Sequence, residues 1–250
     1  MSRKGQIVYG LHAVRAAVRY DPAHIVEAWV EHNRRDGRMQ RLRSQLEGLA
    51  CPVNAVSARE LDRIADGQAH QGVAVRYAGL PPLSEEDLAA LLERLEHPPL
   101  LLVLDQIQDP HNLGACLRTA DGAGVDAVIA PRDRAAGLTP VVHKVASGAA
   151  QRVPFVQVTN LARTLRWLKE RGVWLVGAGD RAEATLYQAD LTGPMALVLG
   201  AEDTGMRRLT REACDTVVRI PMLGGVSSLN VSVATGVLLY EALRQRQAAA

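Results

Sequence analysis

The sequence predicts an α/β protein in two parts: a parallel-sheet domain over residues 100–247 with helices on both faces, preceded by a smaller α/β domain over residues 1–78. Three observations predict it. At 250 residues and 27.0 kDa, the chain exceeds one average domain of ~100–200 residues. From Leu100 onward, six short and nearly continuous apolar runs alternate with helical patterns, as strands do when both faces of a sheet are covered. Between the two parts, Pro-Pro pairs at residues 81–82 and 98–99 bracket one acidic amphipathic segment, which marks residues 79–99 as a linker.

In the first part, GLHAVRAAV reads as a helix, IVEAWVE as a strand and residues 36–49 as a second helix. CPVNAV then reads as a strand, residues 57–65 as a third helix and GVAVRY as a strand. Ser57 and Glu60 have the S-x-x-E spacing of a capping box, which satisfies two orphan donors at that helix start. In the linker, Ser84 caps the acidic helix. The second part carries strands at LLVLDQI, DAVIA, VPFVQV, VWLVGA, MALVLG and TVVRI. Ligands are expected at the carboxyl ends of such strands. No internal repeat is present, and the QAAA tail is expected to fray.

Composition narrows the function classes. The chain is 48% hydrophobic and 22% charged, with mean hydropathy −0.03, the profile of a globular chain. No apolar run approaches the ~18–20 residues of a membrane helix, and no apolar signal region follows the basic start, so a cytoplasmic protein is expected. Cys51, Cys116 and Cys214 are odd in number and far apart, which offers neither a disulfide framework nor a metal knuckle. The seven histidines lack metal-ligand spacing, so no metal is expected. The net charge of +2 is unevenly spread: residues 1–78 hold 12 basic and 8 acidic side chains, residues 79–99 hold 1 and 5.

Three segments of the second part carry chemistry. In QDPHNLGACLRTADGAG, Asn112 reads as a helix N-cap and Arg118 follows six residues later on that helix. A capped helix with a surface Arg would look the same. In LVLGAEDTGMRR, Gly200 ends a buried strand and Glu202 stands at its carboxyl edge, where glycines let backbone approach a ligand. Glu202 could instead cap a helix starting near Met206. In RIPMLGGVSSLNVSVATGV, Ser227 or Ser228 could cap the long final helix, which leaves Asn230 inside the first turn. Asn gains little there on propensity, which suggests recruitment to a site.

Together, N-x5-R, LGxE-x2-G and IPM-x5-SLNVSVA resemble the SpoU or TrmH branch of the SPOUT methyltransferases, over residues 100–246 in order and spacing. The segments YGLHAV and HQGVAV further resemble the group of that branch that methylates a guanosine 2'-hydroxyl of large-subunit ribosomal RNA, whose first domain is a ribosomal-protein-L30e-like RNA binder. The resemblance implies a deep trefoil knot near the C-terminus, a homodimer with its site near the interface, and S-adenosylmethionine as cofactor. It places catalytic positions at Asn112, Arg118, Glu202, Ser228 and Asn230. The cofactor would lie against Leu199, Gly200, Ala201, Ile220, Met222 and Leu229. One departure is Asp203, where the family usually has Gly after the acid.

The resemblance assigns the general base to Arg118, yet a guanidinium is protonated at ordinary pH. A second role stands beside it, in which Arg118 holds the target phosphate and stabilises developing alkoxide charge while the proton leaves through phosphate or water. Arg34, Arg35, Arg38, Arg41 and Arg43 form a basic cluster suited either to solvent or to phosphate contacts, and His70 and Gln71 could touch RNA or merely turn the chain. Gly177, Gly179 and Ala182 satisfy a G-x-G-x-x-A dinucleotide fingerprint, with Glu202 roughly 20 residues on. RAEATLYQADL has weak helical periodicity, however, so the helix that fingerprint requires is not expected. Two alternatives to ribosomal RNA methylation remain: a transfer-RNA 2'-O-methyltransferase of the same family, and a non-catalytic RNA-binding assembly factor.

Overall fold

The structure is a computed structural model that describes residues 5–34, 36–79 and 82–249. Contacts divide it into two compact units, Met1–Pro81 with Leu138–Arg152, and Pro82–Gly137 with Val153–Ala250.

In the first unit the elements run β1 (Gln6–Tyr9), α1 (Leu11–Tyr20), β2 (Ile25–Glu31), α2 (Gly37–Glu47), β3 (Val53–Val56), α3 (Ala58–Ile64) and β4 (Val73–Tyr77). The sheet order is β1-β4-β2-β3, with β2 and β3 parallel and the other pairs antiparallel. Alternation along each strand sends side chains to opposite faces. Val8, Ala28, Val30, Val73 and Val75 therefore pack under α1 and α2, while Tyr9, Trp29 and Ala74 meet Leu61 and Ala65 at α3. Asp36 caps α2 through Met39 N at 3.1 Å. Strand β1, QIVY, is an element the sequence reading did not resolve. At α3, Ser57 Oγ accepts from Glu60 N at 3.2 Å.

The second unit begins with α4 (Glu85–Leu92), where the reciprocal capping box closes between Ser84 and Asp87. The segment read as a linker is docked: Leu88 is fully buried, and Leu83 bridges to Val156 at the sheet edge. Then follow β5 (Leu100–Asp105), α5 (Pro110–Gly122), β6 (Ala127–Pro131), α6 (Pro140–Ala146), β7 (Phe155–Val158), α7 (Leu161–Glu170) and β8 (Trp174–Ala178). After them come β9 (Ala184–Thr185), β10 (Met195–Gly200), α8 (Arg208–Ala213), β11 (Thr216–Arg219) and α9 (Val231–Ala249). All six sequence-predicted strands form, and every pairing in the sheet is parallel. After β8 no regular helix follows Gly179; β9 and a single 3-10 turn at Leu186–Gln188 stand there instead, as the weak periodicity implied.

Helix α6 lies between β6 and β7 in sequence but packs with the first unit. His143 meets the Tyr77 ring edge-on at 5.5 Å, and Lys144 Nζ sits 5.1 Å from the Tyr9 ring centre. Beyond it Gly148, at φ +101, approaches Ala16 so closely that a Cβ would stand 2.6 Å from the alanine methyl. Only glycine fits that position. The three cysteines are free, and no helix among the described residues is long and apolar enough to cross a membrane.

Candidate active site

The seven-stranded sheet has the order β7-β6-β5-β10-β8-β11-β9. The chain begins this sheet in the middle at β5, moves outward through β6 to β7, crosses over, and later lays β10 between β5 and β8. Open parallel sheets bind ligands at such a reversal, outside the carboxyl ends of the strands. A pocket of about 520 Å³ lies against these ends. It is lined by Ala178 to Arg181 after β8, Leu199 to Met206 at and after β10, Val218 and Ile220 at and after β11, and Ser227 to Leu229 ahead of α9.

Glu202 connects three segments at this edge. Its Oε1 accepts from Asn112 Nδ2 at 3.0 Å, from Val231 N at 3.2 Å, and from Asn230 Nδ2. Asn230 Nδ2 also donates to Asn112 Oδ1 at 3.0 Å. A carboxylate accepts only, so both amides must turn their NH2 groups toward it, which fixes their orientation. Glu202 thus serves the start of α9, where a negative charge is favoured, and not the start of α8.

Two expectations about caps are corrected. Helix α5 starts at Pro110 and its cap is Asp109, whose carboxylate accepts from His111 N. Asn112 sits inside the first turn, and its amide is spent on Glu202 instead of the helix. Asn230, expected inside a helix, directly precedes α9; its Oδ1 accepts from Ser232 N at 2.9 Å while its Nδ2 faces Glu202. One side chain therefore begins the helix and completes the network, so its helix propensity is irrelevant.

Of the expected cofactor contacts, Leu199, Gly200, Ala201, Ile220, Met222 and Leu229 all line the pocket, together with Glu202 and Ser228. Asn112 and Asn230 stand behind Glu202. Arg118 is not among the lining residues; it is exposed on α5, with no hydrogen bond or ion pair among the described residues. Sequence reasoning missed Gly179, Asp180, Arg181 and Arg211, which also line the pocket. The signal for them is Gly179 itself, which follows β8 within the G-x-G-x-x-A pattern.

The first unit carries a basic trench. Arg34, Arg38, Arg41 and Gln71 line one hollow with His12 and Arg15. Its continuations add Gln45, Arg19 and Arg152. Helix α1 contains no acid, and the single acid of α2, Glu47, pairs with Arg43 at 2.7 Å. Arg15, Arg38 and Arg41 are exposed, while Arg34 is tied to Asp36 and the Gln71 carbonyl. His70 is built into its own loop, bonded to Asp62 and accepting from Gly72 N. Gln71 Oε1 takes the Leu11 N–H at the start of α1. Arg35 lies outside the described residues. Arg15 and Arg19 were missed, although spacing of three to four residues puts His12, Arg15 and Arg19 on one face of a helix without carboxylates. Among the described residues no group of three His, Cys, Asp or Glu could hold a metal.

Comparison with known proteins matches residues 99–240 to the SpoU rRNA Methylase family and residues 7–83 to the family described as RNA 2'-O ribose methyltransferase substrate binding. The 23S rRNA (guanosine-2'-O-)-methyltransferase RlmB of Yersinia pestis is 55% identical over 96% of this chain and 98% of its own length. A crystal structure of an RNA 2'-O ribose methyltransferase superposes with TM-score 0.80 at 28% identity, covering 98% of this chain and 90% of that one. The SpoU methyltransferase AviRb from Streptomyces viridochromogenes, solved in complex with the cofactor AdoMet, shares the fold at TM-score 0.80 and 24% identity, covering 97% of this chain and 90% of that one.

Proposed function

The chain belongs to the SpoU rRNA methylase family, and from that premise we propose that it methylates the ribose 2'-hydroxyl of a guanosine in 23S-type ribosomal RNA, with S-adenosylmethionine as methyl donor. The observation that carries the reading is the Glu202 carboxylate, which ties Asn112 and Asn230 together beside a pocket at the carboxyl ends of β8, β10 and β11. The pocket suits the cofactor: its walls are the strand end at Leu199 to Ala201, which includes Gly200, and the loop at Ile220 and Met222, which offer main-chain donors and acceptors, and Leu199, Met222 and Leu229 supply apolar surface. When bound, S-adenosylmethionine supplies an electrophilic methyl group.

In this reading the remaining work falls to side chains. Glu202, Asn112 and Asn230 fix three segments so that an attacking hydroxyl is held in line, which is where most of the acceleration of a one-step displacement arises. Glu202 Oε1 is engaged by three donors, which suits holding better than proton abstraction. Arg118 receives the target phosphate and stabilises the charge developing on the attacking oxygen, and the proton departs to phosphate or water. Ser228 orients substrate at the pocket wall. The family's trefoil knot, a homodimer and a cytoplasmic location complete the proposal. Val233 and Tyr240, seven residues apart and half exposed on α9, are consistent with a subunit contact. A division into an RNA-binding part at 1–78, a connecting segment at 79–99 and a catalytic part at 100–247 belongs to the same proposal. In the first part, Arg34, Arg38 and Arg41 meet phosphate, with Arg35 beside them in sequence; His70 and Gln71 shape that surface.

Labelled S-adenosylmethionine incubated with precursor ribosomal RNA should place label on a guanosine ribose. Arg118→Lys should abolish most of that transfer while leaving cofactor affinity intact, because lysine lacks the bidentate fork. Label on transfer RNA alone would overturn the substrate, and near-normal turnover by the lysine variant would overturn the role of Arg118.

A further inference from the structure

Asp105 ends β5 and is fully buried. A carboxylate out of contact with water is costly unless its oxygens are occupied. Both are: Oδ2 accepts from Arg207 N at 2.8 Å, and Oδ1 accepts from Arg207 Nε at 2.7 Å and lies 2.7 Å from Nη2. One residue therefore meets Asp105 through its backbone and its guanidinium together.

The position of that residue gives the pair its meaning. Asp105 is the register partner of Gly200 in the β5–β10 ladder. The chain leaves the sheet at Gly200, forms the pocket wall from Ala201 to Met206, and returns at Arg207 onto the residue opposite its point of departure. Gly205 N closes the turn on Ala201 O at 2.8 Å, and Gly205, at φ +66, takes the left-handed conformation there. The loop folds back so tightly that a Cβ on Gly200 would collide with Gly205 C and Met206 N. Both ends are thus fixed at Asp105, and Glu202 projects between them.

Stability alone does not account for such a pair, since a buried ion pair typically contributes little more than apolar residues of the same volume. What it supplies is one defined conformation of the loop. We infer that Asp105 is a positioning residue for the methyl donor's binding loop, acting through Arg207, an inference that rests on the functional reading above. It touches neither donor nor RNA.

Asp105→Asn keeps the shape but cannot accept on both sides, and it leaves no buried charge behind, while the half-exposed Arg207 gains water. Calorimetric titration with S-adenosylhomocysteine should show about ten-fold or more weaker binding for Asp105→Asn, with a melting temperature within about 3 °C of the wild type. The KM for S-adenosylmethionine should rise more than kcat falls. Arg207→Lys, which keeps the charge and the backbone N–H, should recover part of the affinity relative to Arg207→Gln. Wild-type affinity in Asp105→Asn would overturn the inference. Should that variant fail to fold, equal binding by Arg207→Gln and the wild type would do the same. Failure of the wild-type chain to bind S-adenosylhomocysteine would instead overturn the methyl-transfer reading, and this inference with it.

Discussion

Glu202 Oε1 receives three donors from two separate chain segments, so substitutions there should be graded by what remains to receive them. Glu202→Gln keeps an oxygen but loses the charge that strengthens each bond. Glu202→Ala leaves both amides and the Val231 N–H without that partner, at about 1 kcal/mol or more for each bond that water replaces poorly. Methyl incorporation should therefore fall at least about ten-fold in the alanine variant and less in the glutamine variant; equal losses in the two would show that charge, and not position, is what Glu202 supplies. At this scale the sequence was most informative about strand-end residues. Gly200 and Glu202 were legible because a buried strand runs into glycine there, whereas Leu199 and Ala201 were indicated only by the family resemblance. The hydrogen-bond roles of Asn112 and Asn230 were not, since their partners lie 90 and 28 residues away. Asp105 was hidden by its neighbours: in LLVLDQI it looks like the polar end of a strand, and only the β10 register gives it a partner.

Helix α6 shows what burial does to an ionisable group on a short element. His143 is 2% exposed, and burial pushes its imidazole down to about 4, with Tyr77 against its edge and the Gln151 amide 3.0 Å from Nδ1. In the unfolded chain the same ring titrates near ~6.5. The folded state refuses a proton that the unfolded state accepts, so stability is fully present above ~6.5 and declines as pH falls toward about 4, by up to about 3 kcal/mol. Urea unfolding between pH 7.5 and 4.5 should follow that slope, and His143→Phe should flatten it; an unaltered slope would exclude His143 as the source. The interval stays above the range where Glu241 titrates, since the Arg244 and Gln245 hydrogen bonds hold its carboxyl down at about 2. The six strands of the second unit were legible because parallel strands are apolar on both faces. The two-residue β9 and the packing of α6 with the first unit were not, because short elements take their place from tertiary contacts that no local period encodes.

Across the whole chain, charge is distributed in a way that net charge conceals. The basic excess of residues 1–78 is gathered on the exposed sides of α1 and α2, where Arg15, Arg38 and Arg41 face one trench. The near neutrality of the full chain comes partly from the acidic 79–99 segment. Some of those acids are engaged locally, as Asp87 is with Ser84 and Glu85 with Arg163. A surface of this kind meets RNA through phosphates, releases counterions, and carries little sequence preference. It should then set the salt dependence of binding without setting which guanosine is methylated. For single-stranded RNA each neutralised phosphate contributes about 0.7 to the slope of log affinity against log salt. Replacing Arg15, Arg38 and Arg41 together by Gln should lower that slope by about 2, measured between about 50 and 200 mM salt on a ribosomal RNA fragment. Turnover at saturating RNA should stay near wild type, because the pocket and the Glu202 network lie in the other unit. An unchanged slope would mean that the trench is only a solvated face, and RNA would have to be held by other residues. A lost slope accompanied by lost turnover at saturation would mean that these arginines also align the target.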